Sequence, residues 1–161
     1  MAIKVGDTVP NATFRVMTAE GPKPKTTDDV FKGKKVAVFA VPGAFTPTCS
    51  NLHMPSFLNN LGAFKAKGVD AVAVISVNDP FVMKEWAKAT GGDGKIDFLA
   101  DGGAEFTKAI GMDFDGSGAG LGVRSKRYSM LVDNGTVKNL NVEDAPGKCD
   151  ISGGEALLGQ I

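Results

Sequence analysis

Two nearly continuous apolar runs dominate the hydrophobic pattern of the chain, and more polar segments separate them. The runs cover Lys34 to Val41 and Val69 to Val77, and both are rich in β-branched residues. Such runs are typical of strands that are buried on both faces of a sheet. Between them, residues 49–67 carry apolar side chains at helical spacing and predict a helix, which Pro55 should kink or delay. Strand, helix and strand in this order predict a parallel crossover.

Turn and cap residues divide the following segment into shorter elements. Asp79-Pro80 combines an acidic cap with a proline in the first turn, which predicts a helix that ends at Gly91-Gly92. A short strand over residues 96–100 and a short helix over residues 104–110 should come next.

The clearest local signal lies in the last third of the chain. Asn134-Gly135 stands between the segments 127–133 and 136–142, and this dipeptide supplies the positive φ angles of a hairpin turn. Further on, Ser152 and Glu155 have the spacing of a capping box, which predicts the start of a C-terminal helix.

The first 33 residues are expected to be irregular or weakly extended, with a loop at Gly21-Pro22-Lys23-Pro24. The order of all these elements predicts an α/β fold, a mixed β-sheet flanked by helices, of thioredoxin-like type. At 161 residues the chain favours a single domain over residues 1–161.

Composition narrows the function classes. Lys and Arg total 18, as do Asp and Glu, so there is no excess of positive charge to favour nucleic acid as a partner. No apolar stretch approaches the roughly 20 residues that span a bilayer, and the N-terminus lacks a secretory signal. The two cysteines do not make a disulfide scaffold. We therefore expect a cytoplasmic protein that binds neither nucleic acid nor membrane.

Cys49 is the main candidate for chemistry. It follows the first buried strand and opens the predicted helix, where unpaired amide groups and the helix dipole favour thiolate over thiol. A buried structural cysteine is the alternative interpretation. Thr46 stands where a dithiol oxidoreductase would carry its first cysteine, so fast local dithiol exchange is excluded. A hydroxyl at that position is instead suited to holding a small polar substrate such as a hydroperoxide.

These residues resemble the peroxiredoxin family. Its active-site pattern Pro-x-x-x-Thr-x-x-Cys is matched by Pro42, Thr46 and Cys49. The longer string from Pro42 to Ser50, followed by His53 to Pro55, resembles the type-five group. The similarity continues over Ser76 to Phe81, at Trp86, and over Leu121 to Met130. The resemblance therefore covers most of the chain.

The resemblance implies a thiol-dependent peroxidase that reduces hydrogen peroxide and organic hydroperoxides without a cofactor or metal. Cys49 would be the peroxidatic cysteine that becomes a sulfenic acid, Thr46 would hold the peroxide, and Pro42 would shield the thiolate from water. Arg124 matches the arginine that stabilises the thiolate and the charge developing on oxygen. Arg127 and Lys126 compete for that role, and we prefer Arg124.

The resemblance also implies partners. Cys149 corresponds to the resolving cysteine that some type-five members carry in a C-terminal loop, whereas other relatives use glutathione with glutaredoxin, and thioredoxin is a further donor. We favour glutathione and expect the two sulfurs to be too far apart to bond in the reduced fold. Family members form homodimers near the active site, where Phe45 and Phe81 are candidate contacts, although core packing explains these two residues equally well.

Two other functions remain open at this level. His53, the only histidine, lies four residues after Cys49, and such a pair is compatible with a cysteine hydrolase. No third group to orient the imidazole is evident, so we expect His53 to support the site as a neighbouring polar group. Alternatively, Cys49 serves as a signal in a redox sensor or a holdase-type binding module.

Overall fold

A seven-stranded mixed sheet forms the centre of the computed structural model, which describes residues 2–161. The strands of this sheet are β1 (Thr13–Thr18), β2 (Gly21–Thr26), β3 (Lys35–Val41), β4 (Ala71–Ser76), β5 (Asp97–Ala100), β8 (Tyr128–Asp133) and β9 (Thr136–Val142). Their spatial order is β2-β1-β5-β4-β3-β8-β9. A separate antiparallel pair is formed by β6 (Asp113–Asp115) and β7 (Val123–Ser125).

Alternation along the central strand β3 builds a core on each face of the sheet. Val36, Val38 and Ala40 pack into one apolar cluster, while the intervening residues, including Phe39 and Val41, pack into the other. The strand is parallel to β4 and antiparallel to β8, so it is hydrogen-bonded on both sides. This confirms the mixed sheet flanked by helices, with two buried strands where the apolar runs predict them.

The helices are short. They are α1 (Thr27–Phe31), a π-helical turn (Cys49–His53), α2 (Met54–Leu58), α3 (Leu61–Ala66), α4 (Pro80–Thr90), α5 (Glu105–Ala109) and α6 (Gly154–Leu158), with a 3₁₀ turn at Ser117–Ala119. Within residues 2–161, no helix combines the length and the apolar character needed to cross a bilayer.

The predicted helix over 49–67 is instead three consecutive pieces. The π turn comes first, Pro55 sits in the first turn of α2, and a break at Asn59-Asn60 separates α2 from α3. Proline in a first turn lacks only an N–H that would be unpaired there, so it starts α2 without kinking it. Cys49 thus begins a π turn, in which the Met54 N–H donates to Cys49 O and the backbone is wound more widely than in a regular α-helix.

The loop expected at Gly21-Pro22-Lys23-Pro24 is wrong, whereas part of the first 33 residues is extended as expected. Residues 13–26 form the β1–β2 hairpin, with Pro22 and Pro24 inside β2. Because β2 lies at the edge of the sheet, prolines there remove no hydrogen bond to a further strand. Proline is therefore compatible with a strand at this position.

Of the three turn and cap predictions for the rest of the chain, two are confirmed and one is wrong. The Asn134-Gly135 hairpin is confirmed, with both residues at positive φ, and so is α4 with Asp79 as its cap. The capping box at α6 is wrong, because Gly153 caps that helix and Ser152 bonds elsewhere. Gly154 packs so closely on the backbone of Ser56 in α2 that a Cβ there would overlap it.

Candidate active site

Cys49 lies at the carboxyl end of β3, as the first residue of the π turn, and its side chain is fully buried. The connecting loop bends through Phe45, whose φ is +67°. Within this loop, the hydroxyl of Thr46 donates to the Gly43 carbonyl oxygen at 2.7 Å. The hydroxyl therefore uses its one hydrogen inside the loop and keeps lone pairs free to accept a hydrogen bond.

Arg127 is the cation on the sulfur. Its Nη2 lies 3.0 Å from Cys49 Sγ, and its Nη1 lies 3.0 Å from His53 Nδ1. Nε and Nη2 also donate to the Pro146 carbonyl oxygen, at 3.1 and 3.0 Å. Only 2% of Arg127 is exposed. Within residues 2–161, no carboxylate oxygen comes within 4.0 Å of it, so its acceptors are a carbonyl oxygen, an imidazole nitrogen and the cysteine sulfur.

Arg124 takes a different position, which corrects the preference for it as the cation nearest to the sulfur. Its Nε donates to Leu121 O at 2.9 Å and its Nη1 to Pro42 O at 3.3 Å. A Cβ on Gly43 would stand 2.7 Å from that same Nη1, so glycine is needed for this close approach. Arg124 therefore holds the loop that carries Pro42 and Thr46, and contacts the sulfur's surroundings only through that loop.

Register along the sheet explains why Arg127 reaches Cys49. Ala40 in β3 pairs with Tyr128 in β8, so the residue before Tyr128 lies beside the end of β3. The hairpin pattern predicts β8 itself but does not reveal that β3 is its neighbour. A signal for Arg127 was thus present in the sequence only as a basic residue at a strand start.

His53 is a fully buried, neutral side chain with both ring nitrogens occupied. Nδ1 accepts from Arg127, and Nε2 donates to the Ser152 carbonyl oxygen at 2.9 Å. Burial, with the Arg127 charge acting in the same direction, lowers the pKa of His53 to about 3. No ring nitrogen is left to accept a proton from Cys49, which is what the hydrolase hypothesis requires.

Cys149 lies half-buried in the loop between β9 and α6, and both it and the fully buried Cys49 are free thiols. Burial raises the pKa of the Cys149 thiol, although the Arg127 guanidinium opposes this. The hydroxyl of Thr48 donates to Gly147 O in this loop at 3.0 Å. The loop therefore contacts the residue next to Cys49 directly.

Glu143 is a buried carboxylate that the sequence analysis did not identify. Its Oε2 accepts from the backbone N–H groups of Asp150 and Ser152, both at 2.7 Å, and from the Ser152 hydroxyl at 2.6 Å. Burial alone would raise the pKa of Glu143, but these hydrogen bonds outweigh it and hold the pKa below its ordinary value. Ser152 thus anchors the loop rather than capping α6.

Three aromatic side chains lie near the site, two of them exposed at the surface and one buried beneath it. Phe45 and Phe81 are 53% and 63% exposed. Their loops are joined where Ala44 N–H donates to the Asn78 side-chain oxygen at 3.0 Å. Below, the indole N–H of Trp86 donates to the Ser50 hydroxyl at 3.0 Å, directly after Cys49. No group of three or more metal-ligating residues occurs in the described part of the chain.

Known proteins are similar to this chain in sequence and in structure. The Redoxin family model matches residues 4–158. The chain is 46% identical to Peroxiredoxin-2C of Oryza sativa over 97% of this chain and 96% of that protein. Relatives named as mitochondrial and chloroplastic peroxiredoxins of Arabidopsis thaliana also match.

Two solved structures are similar over almost their whole length. Reduced Prx3 from Vibrio vulnificus in complex with hydrogen peroxide has a TM-score of 0.92 and 49% identity, with 98% of each chain covered. Peroxiredoxin 5 from Alvinella pompejana has a TM-score of 0.84 and 38% identity, with 97% of this chain and 96% of that chain covered. The thioredoxin-like fold is thereby confirmed, and this chain belongs to the peroxiredoxin family of thiol-dependent peroxidases, which react through a peroxidatic cysteine.

Proposed function

We propose that Cys49 is the peroxidatic cysteine, and the buried Arg127 guanidinium is the observation that carries this assignment. A buried cation is costly unless an anion or several acceptors compensate it. Among the groups that Arg127 contacts, only the Cys49 sulfur can become an anion, because Pro146 offers a carbonyl and His53 is neutral. The site therefore favours the thiolate, which is the reactive form of cysteine.

The thiolate then attacks one oxygen of the hydroperoxide. A sulfur–oxygen bond forms, the oxygen–oxygen bond breaks, and the sulfur loses two electrons to the peroxide. The second oxygen leaves as hydroxide or alkoxide and takes a proton from solvent to become water or an alcohol. Arg127 stabilises the negative charge as it passes from sulfur to oxygen, since a preorganised donor acts where charge develops.

Thr46 and Pro42 have supporting roles in this step. The Thr46 hydroxyl donates to Gly43, so it accepts the O–H of the incoming hydroperoxide and orients it toward the sulfur. Pro42 shields the thiolate from water, and Arg124 fixes its carbonyl. His53 keeps Arg127 in place by accepting from Nη1.

Regeneration needs a thiol donor. One thiol attacks the sulfenic sulfur, forms a disulfide and releases water, and a second thiol then releases Cys49 as thiol. We favour glutathione with glutaredoxin over thioredoxin, because burial raises the pKa of Cys149 and makes it a weak attacking thiol in this conformation. Cys149 becomes a resolving cysteine only where its loop opens.

The remaining assignments have separate grounds. The length favours one domain over residues 1–161, the composition favours the cytoplasm, and the resemblance to the type-five group implies a homodimer. Exposed Phe45 and Phe81, on loops joined through Asn78, support a dimer contact beside the active site. Solution scattering of the wild type and of Phe81→Asp tests this contact, and a wild-type monomer would contradict it.

Cys49→Ser tests the assignment of the reactive sulfur. Serine is nearly isosteric but is a poor nucleophile toward the oxygen–oxygen bond, so peroxide consumption in the presence of a thiol donor should be lost while the fold persists. Cys149→Ser is the matched control and should keep the first oxidation of Cys49. A folded Cys49→Ser protein that still turns over peroxide would refute the mechanism.

Mass spectrometry of the wild type treated with peroxide in the presence of glutathione separates the remaining alternatives. A Cys49–glutathione adduct supports glutathione as the donor, whereas a Cys49–Cys149 bond identifies a two-cysteine enzyme. Oxidation of Cys49 without sustained donor oxidation would identify a redox sensor. Ester hydrolysis without peroxide consumption would identify a hydrolase.

A further inference from the structure

The carboxylate of Glu143 is placed where it controls the Cys149 loop without touching the reacting atoms. Glu143 follows the last residue of β9 and is 6% exposed. One of its oxygens accepts three hydrogen bonds, from Asp150 and Ser152. Its surface neighbour Asp144 instead pairs with Lys148 at 3.6 Å and is exposed. Two adjacent carboxylates thus have entirely different surroundings.

The same loop supplies two carbonyl groups to the active site. Pro146 O, near the start of the loop, accepts from Nε and Nη2 of Arg127. Ser152 O, at its end, accepts from Nε2 of His53, and His53 in turn accepts from Arg127. The loop from 144 to 152 therefore holds the guanidinium from one side directly and from the other side through the imidazole.

Glu143 is the group that closes this loop on itself. Its bonds to residues 150 and 152 fix the end of the loop against the end of β9, where the loop begins. With that closure, Pro146 O and Ser152 O have defined positions, and Cys149 between them is half-buried. Without it, nothing else of comparable burial ties Asp150 to β9 among the hydrogen bonds of the described residues.

We infer that Glu143 is a positioning residue, which fixes the loop over residues 144–152 so that Arg127 stays on Cys49 and Cys149 stays covered until the loop opens. The inference rests on the proposed roles of Cys49 and Arg127. It makes one carboxylate responsible for two properties: the thiolate fraction of Cys49 and the accessibility of Cys149. Breaking the closure should therefore lower the first and raise the second together.

The test compares Glu143→Ala and Glu143→Gln, with Asp144→Ala as the matched control. Alanine removes the acceptor, whereas glutamine keeps an uncharged oxygen with two lone pairs that can still accept from these donors. Arg127 contacts the Cys49 sulfur and His53 contacts Arg127, and neither is changed in these variants. The charge of Glu143 also acts on His53 and on Cys149, and both Glu143 variants remove it equally. Three quantities are measured: the rate of Cys49 oxidation by hydrogen peroxide, the pH at which thiolate absorbance develops, and the rate of Cys149 alkylation.

Glu143→Ala should slow Cys49 oxidation by about tenfold or more, move thiolate formation to higher pH, and speed Cys149 alkylation by about tenfold, since hydrogen bonds to a charged acceptor are lost. Glu143→Gln should recover most of all three quantities, and Asp144→Ala should equal the wild type. If glutamine restores these quantities, Glu143 acts by accepting hydrogen bonds that position the loop and not by its negative charge. If Glu143→Ala does not fold, Ser152→Ala, which removes one of the three donors, should shift the same quantities more weakly.

Three results would overturn the inference. Glu143→Ala and Ser152→Ala proteins with wild-type oxidation and alkylation rates would show that the closure does not control the site. Lower thermal stability with unchanged thiolate titration would reduce Glu143 to a structural role. Failure of glutamine to rescue would assign the effect to charge. If instead the wild type itself is not oxidised at Cys49, the proposed function fails, and that outcome is distinguishable because it involves no variant.

Discussion

The two cysteines of this chain lie in opposite surroundings. Cys49 is fully buried at the start of a π turn, beside a buried guanidinium, at the end of the central strand. Cys149 is half-buried in a loop rich in glycine, proline and charged residues, and burial raises the pKa of its thiol. Burial alone therefore does not describe the environment of a thiol. Under the proposed mechanism the more buried sulfur is the reactive one, because a cation is buried with it.

Removing the Arg127 cation should have the largest effect on the difference in reactivity proposed for the two thiols. Arg127→Ala takes away the donor to the thiolate and to the developing oxygen charge, so we expect peroxide oxidation of Cys49 to slow by about 10²–10³-fold. Stopped-flow oxidation measures this directly. Arg124→Ala is the matched control and should cost much less, because Arg124 contacts Pro42 and not the sulfur. Equal losses in both variants would contradict the geometry described for Arg127.

Changing the peroxide acceptor should separate substrate binding from thiolate formation. Thr46→Val removes the hydroxyl while keeping the shape of the side chain, and we expect oxidation of Cys49 to slow by about tenfold or more. The pH at which the Cys49 thiolate forms should hardly change. Within residues 2–161, the Thr46 hydroxyl donates to Gly43 O and makes no hydrogen bond to the sulfur. A large change in that pH, with an unchanged rate, would exclude the role proposed for Thr46.

The burial of the imidazole beside Cys49 predicts a particular loss of stability in acid. The folded state keeps His53 neutral until its pKa of about 3, whereas unfolded chains protonate it below about 6.5. Between these values the unfolded state binds more protons, so the free energy of unfolding should fall as pH falls, by up to about 1.4 kcal/mol per pH unit. Urea unfolding between pH of about 7 and 5 measures the slope.

This slope is specific, because His53 is the only histidine and carboxylates titrate mainly at lower pH. His53→Gln should be less stable at neutral pH but should lose most of the slope. A wild type whose stability does not change between those pH values would contradict the neutral, buried imidazole.

The smallest expected effect concerns Cys149. Because its thiol is covered and has a raised pKa, Cys149→Ser should leave turnover with glutathione and glutaredoxin unchanged. Turnover assays with glutathione and with thioredoxin as alternative donors check this. Complete loss of glutathione-supported turnover would make Cys149 obligatory. In that case, the variant should also overoxidise more readily, since the sulfenic acid would persist.

Local patterns predicted the parts of the fold that depend on local physics. The apolar runs of β3 and β4, the cap at Asp79 and the turn at Asn134-Gly135 each depend on a few neighbouring residues, and all are confirmed. The prolines of β2 were misinterpreted as a loop, because only the tertiary structure shows that β2 is an edge strand. The helix after Cys49 was predicted as one element, although the break at Asn59-Asn60 divides it.

The residues of the site also fall into a part that local sequence predicts and a part that it does not. Cys49 and Thr46 are close in sequence, so the strand-to-helix turn alone brings them together. Arg127 and Glu143 reach the site through the pairing of β8 with β3 and of β8 with β9, over long sequence separations. Nothing in the spacing of arginines distinguishes residue 127 from residue 124 before that register is known. The sequence therefore predicts the proposed nucleophile, whereas the sheet register is needed to identify the groups that lie around it.

The hydrogen bond between the Trp86 indole and the Ser50 hydroxyl gives this protein an optical signal of its own. Trp86 is the only tryptophan, and Ser50 is the second residue of the π turn that begins with Cys49. Any unwinding of that turn withdraws the hydroxyl from the indole and changes the polarity around it. Intrinsic fluorescence would then follow the opening of the turn in real time, in the unmodified protein and without an added dye.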